Sequence, residues 1–122
     1  MVGISAGSGQ LINYLGKVGA KSKVHAAASL CPAYDISNAF QGVDKNYPSL
    51  SAYLTRCLQE TFLDGNEDML VGHHGRDLFN KAKRVTTMSE FVDLHVSFAG
   101  HSTKEEYHKH SNPMEVLHRV DL

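Results

Sequence analysis

The sequence has little net charge, no long apolar run and no basic leader, and each absence excludes a class of protein. The formal net charge is −1 over 122 residues, so the chain lacks the basic field that nucleic-acid binders use. The longest apolar run, Ala26–Cys31, is far too short to span a bilayer. Residues 1–10 contain three glycines and two serines without a basic start, which does not fit a secretory signal.

Metal-binding patterns are also missing. Cys31 and Cys57 are isolated from each other. Of the eight histidines, His73–His74 are adjacent and His108 and His110 lie two apart, so neither pair has the spacing of a helix-borne zinc site. We therefore expect no metal and no cofactor. Two unpaired cysteines favour a reducing, intracellular compartment, where thiols pack as small apolar groups.

What is present is the composition of a globular domain, with 42% hydrophobic and 20% charged residues. Met1–Ile4 resembles the end of a buried strand, and Val120–Leu122 resembles the start of another. A complete domain rarely begins and ends inside a sheet, because the neighbouring backbone groups would lack partners. The sequence therefore suggests the central piece of a larger domain.

The first third of the chain predicts a strand–helix–strand unit. Residues 8–18 have apolar positions on one face of a helix, and Gly19 is well placed to end it in a left-handed conformation. Val24–Cys31 is a continuous run of mostly small apolar residues, typical of a strand covered on both faces. Two strands joined by one helix in about thirty residues indicate a parallel sheet.

From Tyr47 onward the patterns are helical. An apolar stripe follows Ser49 and ends near Gly65, and either core packing or a lipid interface would explain it. Two S/T-x-x-E sequences, Thr87–Glu90 and Ser102–Glu105, match the capping box that opens a helix. The members of the stripe are Leu50, Leu54, Cys57, Leu58 and Phe62.

The motif that carries chemistry is the G-x-S-x-G pentapeptide Gly3–Gly7, between an apolar strand and an amphipathic helix. A nucleophilic serine needs a tight turn that lifts its oxygen above the sheet edge, and Gly3 and Gly7 keep side chains out of that turn. Ser5 would attack, and the N–H of Ala6 would donate to the oxyanion at the positive end of the helix. A glycine-rich phosphate-binding turn and a purely structural turn are the alternatives.

Several segments resemble the YheT-like α/β-hydrolases, a group that includes the eukaryotic ABHD monoacylglycerol lipases and phospholipases. The resemblance covers nearly all of this chain but only about the central third of a family member. One departure is Ser8–Gln10, where the family usually has a third glycine and an asparagine. The matching segments are Gly3–Gly7, Asn13–Gly16, Ala26–Ala28, Cys31–Asp35, Ser89–Phe91, Gly100, Ser102–Tyr107, Ser111–Pro113 and Leu117–Val120.

This resemblance implies an α/β-hydrolase fragment of three parts. Residues 1–46 would belong to the hydrolase core and carry the nucleophile elbow, residues 47–118 would form a helical cap, and residues 119–122 would start the next core strand. The implied activity is cleavage of carboxylic esters of lipids, monoacylglycerol or phospholipid, through an acyl-enzyme on Ser5. No nucleic acid is an expected partner, and membrane association would come through parts outside these residues.

The triad acid and histidine are expected after Leu122, so we predict little activity for this chain alone. Asp35 is a second candidate for the triad acid, because it follows the second strand at its carboxyl end. The other interpretation of Asp35 is a helix cap or a turn. His25, His95 and His101 are the histidines that could replace the missing base. A non-catalytic, α/β-hydrolase-like binding or scaffold protein is the alternative function.

Overall fold

A computed structural model describes all residues, 1–122. It is mostly helical with one small two-stranded parallel sheet, which is consistent with a fragment of an α/β-type fold. No helix is both long and apolar enough to cross a membrane. The elements are β1 Val2–Ile4, α1 Ala6–Val18, β2 Ala28–Leu30, α2 Ile36–Asn46, α3 Pro48–Leu58, α4 Glu67–His74, α5 Arg76–Arg84, α6 Met88–Phe98 and α7 Lys104–Ser111.

The parallel sheet predicted from the sequence is present, but its second strand is shorter than expected. β1 pairs with β2 in parallel, with Gly3 opposite Ser29. The run Val24–Cys31 forms a strand only over Ala28–Leu30. The prediction of a strand covered on both faces is wrong for these residues, because Leu30 is exposed. β2 is short because a strand forms only where a partner strand runs beside it, and its partner β1 has three residues.

Helix α1 begins two residues earlier than the periodicity suggested, at Ala6 instead of Ser8. Apolar periodicity reports where a helix packs, and the first turn of this helix carries only small residues. Gly19 follows the last helical residue with a φ of 55° and a ψ of −138°. Its φ is positive as predicted, but its ψ lies outside the left-handed helical region.

The chain divides into two compact units, with boundaries inside α2 and α7. The first unit comprises Met1–Ala39 and His108–Leu122. Its core is the buried face of α1, where Gly16 lies so close to Val116 that an added Cβ would meet Val116 Cβ at 2.7 Å. The buried apolar side chains of this face are Leu11, Ile12 and Leu15.

Side-chain hydrogen bonds hold the last segment of the first unit, His108–Leu122, in place. Asn13 Nδ2 donates to the carbonyl of Ser111 at 2.7 Å. The Ile36 N–H donates to Asn112 Oδ1 at 2.9 Å, so this asparagine caps α2 instead of its own following turn. Leu117–Arg119 form a 3-10 turn and Val120–Leu122 have no regular structure, where the sequence suggested the start of a strand.

The second unit, Phe40–Tyr107, has its own apolar core. The helix α5 contributes Phe79 and Ala82 to this core. Partly buried apolar side chains from α3 and α6 pack around the core, including Leu58 and Phe98. The buried members are Leu63, Leu70, Phe79, Ala82 and Phe91.

The apolar stripe that follows Ser49 does not lie on one regular helix. α3 ends at Leu58, a π-helical turn covers Gln59–Leu63, and a 3-10 turn covers Asp64–Asn66. The wider turn rotates the later side chains relative to the earlier ones. Leu58, at the end of α3, and Phe62 both pack on the core, whereas Leu50, near the start of α3, is exposed.

The two capping boxes have different outcomes. Thr87 caps α6 as predicted: its side chain accepts from the Glu90 N–H, and Glu90 in turn accepts from the Thr87 hydroxyl at 3.0 Å. The second box is shifted by one residue. Thr103 Oγ1 accepts from the Glu106 N–H at 3.1 Å, and Glu106 accepts from the Ser102 N–H.

The Asp44 carboxylate, on α2, accepts hydrogen bonds from α3 and α6 of the second unit. Its oxygens accept hydrogen bonds from the hydroxyls of Ser51 and Ser89 and from the backbone N–H groups of Met88 and Ser89, both at 3.1 Å. Burial raises the pKa of Asp44, but the hydrogen bonds from Ser51, Ser89 and Met88 together outweigh it and lower the pKa below its ordinary value. The ionised carboxylate thus occupies the positive end of α6.

Candidate functional site

Ser5 lies in the turn between the carboxyl end of β1 and the first residue of α1. Its backbone has φ 51° and ψ −124°, a conformation that a residue with a Cβ rarely adopts. The Ser5 N–H donates to the carbonyl of Leu30 at 3.0 Å, and the Ser5 carbonyl accepts from the Ser8 N–H at 2.9 Å. The strained residue is therefore fixed by backbone bonds to β2 and to α1, and its side chain is exposed.

Gly3 makes this tight turn sterically feasible. A Cβ at this position would lie 2.5 Å from the Gly7 carbonyl oxygen and 2.8 Å from Ser8 Cα, both backbone atoms that cannot rotate away. Gly7 has a different environment: an added Cβ there would meet no atom within 4 Å. In this chain the close approach that the pentapeptide requires is therefore at Gly3 and not at Gly7.

The start of α1 supplies hydrogen-bond donors beside the Ser5 hydroxyl. Ala6 and Gly7 occupy the first turn, where helical N–H groups have no acceptor within the helix. No acidic side chain lies in this turn, so the positive end of the helix is not neutralised locally. Ser8 is fully buried, and its hydroxyl donates to the Ser5 carbonyl, which strengthens the turn.

His25, the candidate histidine of the first unit, does not hydrogen-bond to Ser5. His25 precedes β2 and is exposed, so it lies at the amino end of a parallel sheet whose carboxyl end carries Ser5. His95 and His101 belong to the second unit. The His95 ring packs edge-on against Phe62 with centroids 5.3 Å apart, and burial lowers its pKa below the ordinary value.

Asp35 follows β2 at the carboxyl edge of the sheet, as the sequence indicated, but its carboxylate caps α2. Oδ1 accepts from the Asn38 N–H at 3.1 Å, and Oδ2 accepts from Asn38 Nδ2 at 2.8 Å. These are the contacts of a helix cap. No histidine is among the residues that bind this carboxylate.

The structure adds a residue that sequence reasoning did not single out as part of this edge. Cys31 directly follows β2 and has a φ of 51°, the same as Ser5, and these two are the residues other than glycine with positive φ. Because Ile4 is opposite Leu30 in the parallel register, Ser5 and Cys31 leave adjacent strands at the same level. Only the register of the two strands reveals this, since neither residue type signals a positive φ.

The described chain contains no group of three or more His, Cys, Asp and Glu side chains that could hold a metal ion. The chemistry available at the carboxyl edge is thus an exposed hydroxyl on a strained backbone, beside free N–H groups at the start of a thirteen-residue helix. Such an arrangement can place an oxygen nucleophile next to donors for a developing negative charge.

Comparison with curated proteins supports a relationship to ABHD-type α/β-hydrolases. The chain is 30% identical over 123 aligned positions to phospholipase ABHD3 of Homo sapiens. It has the same identity to phospholipase ABHD3 of Bos taurus and 29% identity to that of Mus musculus. Each alignment covers 98% of this chain and 29% of the relative.

The chain thus spans less than a third of the length of the curated relatives it matches. No family model matches the chain. No solved structure matches it either.

Proposed function

We propose that this chain carries the nucleophile of a serine hydrolase that cleaves carboxylic esters of lipids. The observation that carries the proposal is the backbone of Ser5: a positive φ between a strand and a helix, with the hydroxyl exposed. A strained turn is retained where the surrounding structure needs it, and nucleophilic serines of α/β-hydrolases sit on such a turn. The likeness to phospholipases named ABHD3 supports a lipid ester as the substrate class.

In the proposed reaction Ser5 Oγ attacks the ester carbonyl carbon, and its proton passes to a base. The carbonyl electrons move to oxygen, and the N–H of Ala6 donates to the resulting oxyanion. The oxyanion collapses, the ester C–O bond breaks, and the alcohol leaves with the proton. Water then hydrolyses the acyl-enzyme to release the acid and regenerate the Ser5 hydroxyl.

The proposed domain roles follow from the same hypothesis. Residues 1–46 would form part of the hydrolase core, residues 47–118 the cap over an acyl-chain pocket, and residues 119–122 would continue the core. We further propose that the base and its acid lie outside the 122 residues, because no histidine of the first unit binds Ser5 and the Asp35 carboxylate binds Asn38.

Imidazole rescue with an alkyl fluorophosphonate would test the nucleophile in this chain. We expect slow phosphonylation of Ser5, accelerated by added imidazole acting as the missing base and mapped by peptide mass spectrometry. Ser5→Ala should remove the label, whereas Ser97→Ala, at another exposed serine, should leave it unchanged. Labelling spread evenly over exposed serines, or absent from Ser5 at high imidazole, would contradict the proposal.

A non-catalytic binding or scaffold role is the second candidate. The observation that favours it is the Ser5 hydroxyl, which hydrogen-bonds to no histidine or carboxylate of the first unit. A serine without a base is a weak nucleophile at neutral pH. The same imidazole experiment separates the two functions, because a scaffold would show no selective acceleration at Ser5.

A further inference from the structure

A serine and a histidine of the first unit are in direct contact outside the Ser5 turn. Ser37 Oγ and His108 Nε2 are 2.9 Å apart, and both side chains are half-buried. Ser37 lies in the first turn of α2, and His108 lies towards the end of α7. With the ring proton on Nδ1, the Ser37 hydroxyl donates to Nε2. This is the geometry of a nucleophile paired with its general base.

The backbone around this pair is fixed on both helices. The Ile36 N–H, at the start of α2, donates to Asn112 Oδ1 at 2.9 Å. The carbonyl of Ser111, at the end of α7, accepts from Asn13 Nδ2 at 2.7 Å. Asn13 belongs to α1, the helix that forms the core of the first unit. The serine and the histidine are therefore held by anchored helix ends, and proton transfer between two side chains needs such a fixed geometry.

A hydrogen-bond donor for an oxyanion lies beside the Ser37 hydroxyl. The first N–H groups of a helix have no acceptor within it, and here two of them are capped by side chains. Asn112 accepts from the Ile36 N–H, and the Asp35 carboxylate accepts from the Asn38 N–H at 3.1 Å. The N–H between these two caps belongs to Ser37 itself. In serine proteases the N–H of the nucleophile contributes to the oxyanion hole, and this N–H has the matching position.

We propose that Ser37 is a second acyl acceptor, with His108 as its base, and that it reacts with small activated esters. A small substrate is expected because both side chains are half-buried. This site uses neither Ser5 nor a lipid substrate, so it is independent of the proposed function.

In the proposed step Ser37 Oγ bonds to the ester carbonyl carbon while its proton passes to His108 Nε2. The carbonyl electron pair moves to oxygen, which accepts from the Ser37 N–H. When the pair returns, the ester C–O bond breaks and the leaving oxygen takes the proton from His108. The products are the free alcohol or phenol, an acyl ester on Ser37 and a neutral imidazole. Water then releases the acid by the same proton transfers.

Acetylation by p-nitrophenyl acetate without added imidazole tests the pair, with each modified serine mapped by peptide mass spectrometry. We expect Ser37 to be acetylated faster than Ser22, a half-buried serine of the first unit whose hydroxyl accepts from the Val24 N–H. Equal acetylation rates at these two serines would overturn the proposal.

A variant of the histidine separates a base from a structural hydrogen bond. His108→Gln can keep a hydrogen bond to Ser37 but takes no proton, so acetylation of Ser37 should slow on the order of a hundredfold. His25→Gln, at an exposed histidine of the same unit, should leave the rate unchanged. A Ser37 rate that is the same in His108→Gln would mean that the contact only joins α2 to α7, and the proposal would be wrong.

A thiol at the same position gives a second readout, which decides alone if circular dichroism shows His108→Gln to be unfolded. A neighbouring imidazole favours the thiolate, so the thiol of Ser37→Cys should react with iodoacetamide on the order of tenfold faster than that of Ser22→Cys. Peptide mapping separates these thiols from Cys31 and Cys57. Equal alkylation rates would overturn the pairing with His108.

The two proposed nucleophiles fail separately. Ser5 and Ser37 lie on different tryptic peptides, because Lys17, Lys21 and Lys23 lie between them. Added imidazole should accelerate labelling of Ser5 and change acetylation of Ser37 little, because His108 already supplies the base. Modification of Ser37 while Ser5 stays unlabelled at high imidazole would contradict the proposed function and support this site. Labelling of Ser5 without acetylation of Ser37 would do the reverse.

Discussion

The backbone N–H of Ser5 donates a hydrogen bond to the carbonyl of Leu30, 3.0 Å away, across the carboxyl edge of the sheet. This bond continues the ladder of β1 and β2 by one residue after β1 has ended at Ile4. The chain must then turn sharply into α1 while Ser5 stays tied to the neighbouring strand. The positive φ of Ser5 follows from these two requirements, and so does the exposure of its hydroxyl.

Gly3→Ala should destabilise the chain by about 1–3 kcal/mol, because the new methyl group would overlap the Gly7 carbonyl and Ser8 Cα. Gly7→Ala is the matched control, with no atom within 4 Å of the added Cβ. It should be neutral or stabilising by up to roughly 1 kcal/mol, since alanine favours helix. Urea unfolding followed by circular dichroism measures both; equal effects would mean that the turn is not tight at Gly3.

Substitutions of Ser5 distinguish the strain of its backbone from the reactivity of its hydroxyl. Ser5→Gly should be more stable than Ser5→Ala by about 1–2 kcal/mol, because glycine adopts a φ of 51° without a Cβ clash. Both variants should lose phosphonylation at this position. Thermal unfolding of the two variants measures the difference, and an alanine variant as stable as the glycine variant would contradict a strained turn.

Asp44→Asn should cost about 2–3 kcal/mol at neutral pH, because four donors lose a charged acceptor. The lowered pKa of Asp44 means that its stabilisation is present above its ordinary value of 3.8 and is lost as pH falls through the folded value. The difference in unfolding free energy between the original chain and Asp44→Asn, measured with urea, should therefore shrink well below pH 4. Asp68→Asn, at an exposed carboxylate, is the control and should change stability little at any pH.

His95 should make the second unit sensitive to mild acid. Burial lowers its pKa from the ordinary 6.5, so the folded state prefers the neutral ring. The contribution of His95 to stability is complete above that value and is lost as pH falls below it, because the unfolded chain takes up the proton first. His95→Phe should flatten the dependence of unfolding free energy on pH between about 7.5 and 5, while exposed His25→Gln should not.

Much of the site was predictable because its determinants are local. The pentapeptide Gly3–Gly7, the apolar face of α1 and the glycine after it are short-range patterns, and they predicted the parallel strand–helix–strand order. The same kind of signal was available for α2 and was missed. Asp35 followed by apolar residues at Ile36, Ala39, Phe40 and Val43 has the spacing of a capped amphipathic helix.

Other features could not be obtained from local pattern. The stripe beginning at Leu50 has helical spacing throughout, yet Leu50 is exposed while Leu58 and Phe62 pack on the core. Which side of α3 faces inward depends on Asp44, a residue on a different helix whose oxygens bind the Ser51 and Ser89 hydroxyls. Hydrogen bonds between distant segments leave no periodic trace in a sequence.

By itself, the sequence determined which residues could turn tightly and where an apolar helix face would lie, because backbone sterics and amphipathic spacing act over a few residues. Only the tertiary structure decided that Gly3, and not Gly7, is the crowded position, and that Cys31 shares the strained conformation of Ser5. It also decided that α3 buries its hydroxyls and exposes Tyr53. These outcomes depend on contacts between elements that are far apart in the chain, and those contacts decide which groups are buried and hydrogen-bonded.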